Sequence, residues 1–149
     1  MESNLKTTVL SILGLFLITF IGYAQETYTI TLIQNNDGSF HFESSDNATV
    51  LNSSSLKEYT ILVYEEDEVI WEGLTMNDEE FDIDEINYVR GNKIFQNDKI
   101  RGQRGNGDKK EVKAKVKKNK KNVDYTYEIV FTINGNQQSI DPKLKVGER

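Results

Sequence analysis

Residues 123–140 read VDYTYEIVFTINGNQQSI, and this stretch decides the fold. Large apolar side chains occupy every second position from 123 to 133, an alternation that is typical of a β-strand with one buried face. Asn134-Gly135 follows at once and favours the tight turn of a β-hairpin. The stretch therefore predicts a long strand that turns back on itself. Pro142, the only proline, cannot donate to a ladder and marks the returning strand as an edge or a kink.

Shorter stretches with the same two-residue period lie along the rest of the chain. The predicted strands are at 27–32, 39–43, 59–65, 68–72, 80–84, 88–90, 93–95 and 112–117. A turn at Gly91-Asn92 joins two of them, and a short helix from Asn77 is the alternative to the strand at 80–84. Residues 97–108 are rich in Gly, Asn and Arg and predict a mobile loop.

About eight strands joined mostly by hairpins predict an all-β domain. The expected architecture is an antiparallel β-sandwich with an immunoglobulin-like or cupredoxin-like outline. A small closed β-barrel is the alternative.

The first 24 residues have the pattern of a secretory signal peptide. Lys6 lies near the amino terminus, residues 9–21 are mostly apolar, and Gly22-Tyr23-Ala24 puts small residues at the −3 and −1 positions of a cleavage site. The apolar run is shorter than the roughly 20 residues of a membrane-spanning helix. We expect cleavage after Ala24, one domain over residues 25–149 with no membrane span, and a periplasmic or extracellular location. The leader resembles those of exported proteins of flavobacteria-like bacteria.

The chain has no cysteine and one histidine. It therefore has no disulfide, no thiol nucleophile, and no thiolate ligand for zinc or type 1 copper. His41 lies between Phe40 and Phe42 and is expected to face solvent, so a zinc or copper site has too few ligands. We expect the domain to work without a cofactor, with calcium as the alternative.

Opposite charges are divided into two blocks. Residues 58–85 contain twelve acids and no base, whereas residues 90–121 contain thirteen bases and three acids. In one interpretation the blocks face each other within the fold. In the other, residues 109–121 form a basic hairpin that docks an acidic polysaccharide, lipopolysaccharide or an acidic protein surface. The candidate binding residues are Lys109, Lys110, Lys113, Lys115, Lys117, Lys118, Lys120 and Lys121.

Two further groups of side chains are candidates for binding. Acids are dense enough at 78–85 to interest a calcium ion, which takes six to eight oxygen ligands, although the solvent face of a strand explains them equally well. Trp71 is a candidate for stacking on a sugar ring, although it shares a strand face with Val69 and would also suit the core. The candidate calcium ligands are Asp78, Glu80, Asp82 and Asp84.

These features favour a secreted binding domain without enzymatic activity. The alternative from another class is a structural component of an envelope or extracellular assembly that self-associates through sheet edges and charge. A small hydrolase that uses His41 or paired acids is a third hypothesis. Nucleic acid binding is not expected, because the Arg-Gly stretch at 101–105 is short and single and the net charge is −6.

Overall fold

A computed structural model describes residues 22–105 and 107–149. The described residues form twelve β-strands and no helix. No helix that could cross a membrane is present in these two ranges. The predicted signal peptide, residues 1–24, lies almost wholly outside them and stays a prediction. In chain order the strands are β1 (Thr27–Gln34), β2 (Phe40–Ser44), β3 (Thr49–Asn52), β4 (Thr60–Val63), β5 (Glu68–Thr75), β6 (Phe81–Gly91), β7 (Lys99–Arg101), β8 (Gln103–Arg104), β9 (Lys110–Lys115), β10 (Val123–Ile133), β11 (Asn136–Ile140) and β12 (Lys143–Val146).

The first sheet has five strands in the order β2-β1-β5-β9-β8. β1 pairs antiparallel with β2 and parallel with β5, and β5 pairs antiparallel with β9. β1 buries Tyr28, Ile30 and Leu32, as its alternation predicts. β5 buries Val69 and Trp71 in the same way. The two central strands therefore give this sheet an apolar inner face.

The second sheet has seven strands, in the order β3-β4-β12-β10-β6-β7 with β11 also paired to β10. One edge of β10 pairs with β6, while the other edge pairs first with β12 and then with β11. Pro142 lies between β11 and β12, where its missing N–H breaks the ladder. Its carbonyl still accepts a hydrogen bond from the Tyr127 N–H, at 3.1 Å. The kink expected at Pro142 is the break between these two strands.

The predicted hairpin at the end of β10 is confirmed. β11 returns antiparallel along β10 directly after Asn134 and Gly135. Both residues have positive φ, 48° and 78°, as the type I′ turn of a two-residue hairpin requires. This turn fixes the register in which β11 pairs with β10.

The two sheets pack face to face, and the predicted β-sandwich is confirmed. They do not close into a barrel. Each sheet is mixed, because β1 pairs parallel with β5 and β4 pairs parallel with β12. Inner side chains of both sheets form one core. At its centre the indole Nε1 of Trp71 donates a hydrogen bond to the Tyr127 hydroxyl, at 3.0 Å.

A buried carboxylate ties the ends of the described chain to the sandwich. Asp67 has no exposed surface. It accepts hydrogen bonds from the backbone N–H groups of Glu26 and Tyr64 and from the guanidinium of Arg149, all at 3.0 Å. The same guanidinium lies over the Tyr64 ring, 4.5 Å from its centroid. Because every partner is a donor or a cation, the carboxylate is compensated without water.

One stretch of chain crosses from the second sheet to the first. β7 pairs with β6 in the second sheet, and after one residue β8 pairs with β9 in the first. Gly102 lies between them, and its N–H donates to the Asp84 carbonyl at 2.6 Å. A Cβ at this position would lie 2.0 Å from the Ile83 carbonyl oxygen. Only glycine allows the chain to pass this close to β6.

Between residues 88 and 108 the structure differs from two predictions, the hairpin turn at Gly91-Asn92 and the loop at 97–108. The turn predicted at Gly91-Asn92 is wrong, because β6 runs on to Gly91 and its partner β7 begins only at Lys99. Ile94 and Phe95 pack into the core from the intervening segment and not from a strand. The loop predicted at 97–108 contains β7 and β8. The strand predicted near 80–84 is confirmed, and it begins at Phe81.

Candidate functional site

The acidic and basic blocks meet on the outer face of β6. Asp82 alternates with the core residues Phe81 and Ile83, yet it is only 6% exposed. Lys110 covers it: its backbone N–H donates to Asp82 Oδ1 at 2.8 Å, and its Nζ lies 3.4 Å from Asp82 Oδ2. The same Nζ lies 3.0 Å from Asp84 Oδ1. The interpretation in which the two blocks face each other within the fold therefore holds at this junction.

Asp84 has a shifted pKa at the same junction. Burial alone would raise the pKa of its carboxyl, but hydrogen bonds from the Thr132 hydroxyl and from Lys110 outweigh burial and lower it. The bond to Asp84 in turn raises the pKa of the Lys110 ammonium group. Both shifts favour the charged forms, so the pair is ionised at neutral pH.

The four acids predicted as calcium ligands have basic partners from the chain itself. The pairs are Asp78 with Lys109 (3.9 Å), Glu80 with Arg104 (3.6 Å), Asp82 with Lys110 (3.4 Å) and Asp84 with Lys110 (3.0 Å). Within residues 22–105 and 107–149, no three acidic or histidine side chains are arranged to hold a metal ion. The positive charge beside these four acids comes from Arg104, Lys109 and Lys110.

The basic segment at 109–121 is not a hairpin, and that prediction is wrong. β9 belongs to the first sheet and β10 to the second, so the residues between them connect the sheets. Alternation along β9 is as predicted, with Val112 buried and Lys113 and Lys115 exposed. The eight lysines therefore lie in three places: Lys109 and Lys110 beside Asp78 and β6, Lys113 and Lys115 along β9, and Lys117, Lys118, Lys120 and Lys121 in the connection.

A groove lies between the sheets beside β9. Two neighbouring cavities of about 210 and 220 Å³ form it, and they share Ile100 and Lys113. β9 is one wall, and β7, β8 and residues 95–97 are the other. Its lining is Phe95, Gln96, Asn97, Ile100, Arg101, Gln103, Arg104, Gly105, Glu111, Lys113, Ala114 and Lys115. We call this cleft the basic groove.

The basic groove is lined by four bases and one acid. Arg101, Arg104, Lys113 and Lys115 have side chains that are 80, 53, 52 and 50% exposed. Each has an acidic partner within the chain, at distances from 2.9 Å for Lys113–Glu111 to 3.9 Å for Arg101–Glu85. Exposed ion pairs of this kind contribute about 0 to 1 kcal/mol. Arg101, Lys113 and Lys115 can therefore exchange these partners for an external anion at little cost, whereas Arg104 also lies 3.7 Å from Asp82 Oδ2, whose side chain is only 8% exposed.

Half of these bases are recognisable from the sequence. Lys113 and Lys115 follow from the alternation of β9. Arg101 and Arg104 belong to strands of three and two residues, which are too short to show a period. The one signal present is Gly102 between them, since an isolated glycine next to strand residues indicates a close backbone approach.

Trp71 has no exposed surface, so the prediction that it binds a sugar is wrong. Its ring packs edge to face against Phe95 and Tyr127, with centroids 5.6 and 5.5 Å away. A large aromatic side chain on the inner face of a central strand fills the space between the sheets. Its face is therefore not available to a ligand.

A separate cavity of about 160 Å³ lies at the opposite side of the sandwich. It is lined by Phe40, His41, Phe42, Ser53, Ser55, Leu56 and Tyr59. His41 Nε2 lies 3.6 Å from Glu43 Oε1. Among the described residues neither serine of this cavity hydrogen-bonds to His41, and an activated serine needs such a bond. The cavity adds no support to the hydrolase hypothesis.

Comparison with known proteins finds a similarity in fold and none in sequence family. No protein-family model matches the sequence. No curated protein matches it either. Among solved structures the chain is similar to the inclusion body protein PixA from Burkholderia cenocepacia J2315, with a TM-score of 0.60 and 7% identity over 87% of this chain and 98% of that one. At this identity the likeness concerns the fold alone.

Proposed function

We propose that the protein is an exported binding domain that docks an anionic partner in the basic groove. The observation that supports this most directly is the lining: four exposed bases and a single acid surround a cleft with apolar side chains. Ligand sites commonly combine an apolar lining with a few convergent polar groups. The signal-peptide pattern of residues 1–24 supports the exported location.

Positive charge is concentrated at the groove although the chain as a whole is acidic. The net charge is −6, so a cluster of bases is a local departure from the average. A cleft whose lining carries an excess of one sign of charge attracts ligands of the opposite sign and raises their local concentration. An anionic partner is therefore drawn to this side of the molecule.

The basic side chains continue past the groove in a regular row. Lys113, Lys115 and Lys117 occupy every second position, and within β9 such positions are about 6.6 Å apart at the usual rise of a strand. The Lys117 N–H bonds to the Ile94 carbonyl at 2.8 Å, which holds the end of the row against the segment that lines the groove. Such a row suits an extended polyanion better than a compact one.

The first test is charge reversal on the row. We expect Lys113→Glu with Lys115→Glu to weaken binding of dextran sulfate to the purified protein at least tenfold at low salt, because two attractive charges become repulsive. Isothermal titration calorimetry would measure the dissociation constant. The same binding should weaken steeply as salt is added, since exposed charges are screened beyond about 10 Å at 0.1 M.

A matched control separates a local site from overall charge. Lys57→Glu with Lys145→Glu makes the same change in net charge on residues that do not line the groove. We expect this variant to bind as the unaltered protein does, within about twofold. Equal loss in both double variants, or no loss in the first, would contradict the proposed site.

A further inference from the structure

β9 has backbone groups without a strand partner on its groove side. On its other side the strand pairs with β5 from Val112 to Lys115. On the groove side it pairs with β8 only at Lys110 and Glu111. No strand of the described ranges pairs with Lys113 or Lys115 on this side.

Neighbouring hydrogen bonds give the direction of these groups. The Val116 N–H donates to the Asp67 carbonyl on the β5 side, at 2.8 Å. The Lys117 N–H donates in the opposite direction, to Ile94. Because backbone groups alternate in direction along a strand, the N–H and C=O of Lys113 and Lys115 point into the groove. The unpaired backbone groups and the row of basic side chains therefore both lie on β9, on the wall that it forms in the basic groove.

The gap is short, and it is bounded at both ends. Glu111 pairs with Gln103 at one end, and Lys117 bonds to Ile94 at the other. Between them two residues offer two donors and two acceptors, beside the apolar side chains of Ile100 and Ala114. This combination of backbone donors and acceptors matches the edge of an extended peptide, whose N–H and C=O groups point to one side at every second residue.

We propose that the partner is a polypeptide whose short extended acidic segment bridges this gap and pairs with the backbone of Lys113 and Lys115. The inference rests on the proposed function and narrows its partner class. Side chains of an extended segment alternate between two sides. Acidic side chains would then lie beside Arg101, Arg104 and the two lysines, while apolar ones between them would lie on Ile100 and Ala114. The expected recognition sequence alternates acidic and apolar residues.

The decisive variant is Lys115→Pro with Lys115→Gln as its control. Both remove the same charge, but only proline removes the N–H that points into the groove. Proline is tolerated where the N–H does not belong to an existing ladder, so the bonds to β5 are kept. With a short peptide of alternating Glu and Val as probe, we expect Lys115→Pro to bind about tenfold more weakly than Lys115→Gln. Equal affinities in two variants of unchanged melting temperature would overturn the inference.

A measurement on the unaltered protein is independent of whether the proline variant folds. Hydrogen exchange followed by NMR should show the Lys113 and Lys115 amides slowed at least tenfold by a saturating amount of the peptide. The Ala114 amide, which faces β5, serves as the internal reference and should change little. Binding without selective protection of the two lysine amides would refute strand pairing.

Dextran sulfate distinguishes this inference from the proposed function. If dextran sulfate binds the groove and its binding is weakened equally by Lys115→Pro and Lys115→Gln, while the peptide behaves in the same way, the site binds anions but does not pair strands. If neither probe is sensitive to Lys113→Glu with Lys115→Glu, both proposals fail. Selective loss of the peptide alone in Lys115→Pro supports both.

Discussion

Tyr125 and Tyr127 lie on the same face of β10 and differ by one hydrogen bond. Both rings are buried, and their centroids are 5.7 Å apart. The Tyr127 hydroxyl accepts the indole N–H of Trp71. The Tyr125 hydroxyl is buried with no partner among the described residues. Burial raises the pKa of both phenols, so both stay protonated over the whole physiological range.

This difference predicts opposite outcomes for the same substitution. Tyr127→Phe leaves the Trp71 N–H buried without an acceptor and should lower the free energy of unfolding by about 1 to 3 kcal/mol. Tyr125→Phe removes a hydroxyl that has no partner and should be neutral or stabilising. Urea denaturation followed by Trp71 fluorescence would measure both. Similar losses in the two variants would show that the hydrogen bond is not what distinguishes them.

At the scale of elements, the crossing between β7 and β8 depends on Gly102. Gly102→Ala would put a methyl group against the Ile83 carbonyl and should destabilise the protein by about 2 kcal/mol or more. Gly107→Ala is the control, because nothing lies within 4 Å of a Cβ at that position. Thermal unfolding would compare the two variants. Equal melting temperatures would mean that the chain can move away from β6 without loss.

Elements could be predicted from the sequence wherever the alternation is long. β10 shows it over 11 residues and occurs where the pattern predicts it, while β9 (Lys110–Lys115) overlaps the alternation at 112–117 and begins two residues earlier. Ile94 and Phe95 fill the core from a connecting segment. In the sequence, two such apolar residues cannot be distinguished from the buried residues of a short strand. The sheet to which β9 belongs was not predictable, because a hairpin with β10 and a pairing with β5 bury the same face of the strand.

The candidate site was predictable only in part for the same reason. Lys113 and Lys115 follow from alternation within one strand, whereas the groove exists because β7 and β8 lie across from β9. Contacts such as Lys110 with Asp82 join residues 28 positions apart. Charge blocks in a sequence show that such pairs can form, but which acid meets which base depends on strand order.

For the whole molecule, the pairing of the two charge blocks predicts a loss of stability in acid. The pKa of Asp84 is lower in the folded state than the roughly 3.9 of an unfolded aspartate. Its contribution is therefore fully present above about pH 4 and is lost as the pH falls through the folded pKa. Asp84→Asn should cost about 2 kcal/mol at pH 7. The difference from the unaltered protein should shrink below pH 4.

Urea denaturation at several pH values would measure this difference. Asp46→Asn is the control, since Asp46 is exposed and has no ion pair among the described residues. It should follow the unaltered protein at every pH. A gap between Asp84→Asn and the unaltered protein that stays constant from pH 7 to pH 2 would contradict a role for the ionised carboxylate.

The position of β12 has a consequence for when this molecule can fold. In the seven-stranded sheet, β3 and β4 reach the other strands only through β12, which lies between β4 and β10. Residues 60–63 can therefore join the sheet only after residues 143–146, about 80 positions later, have been synthesised. Folds dominated by such distant pairings form in milliseconds to seconds. A ribosome-bound chain that lacks β12 therefore cannot join β3 and β4 to the rest of the second sheet.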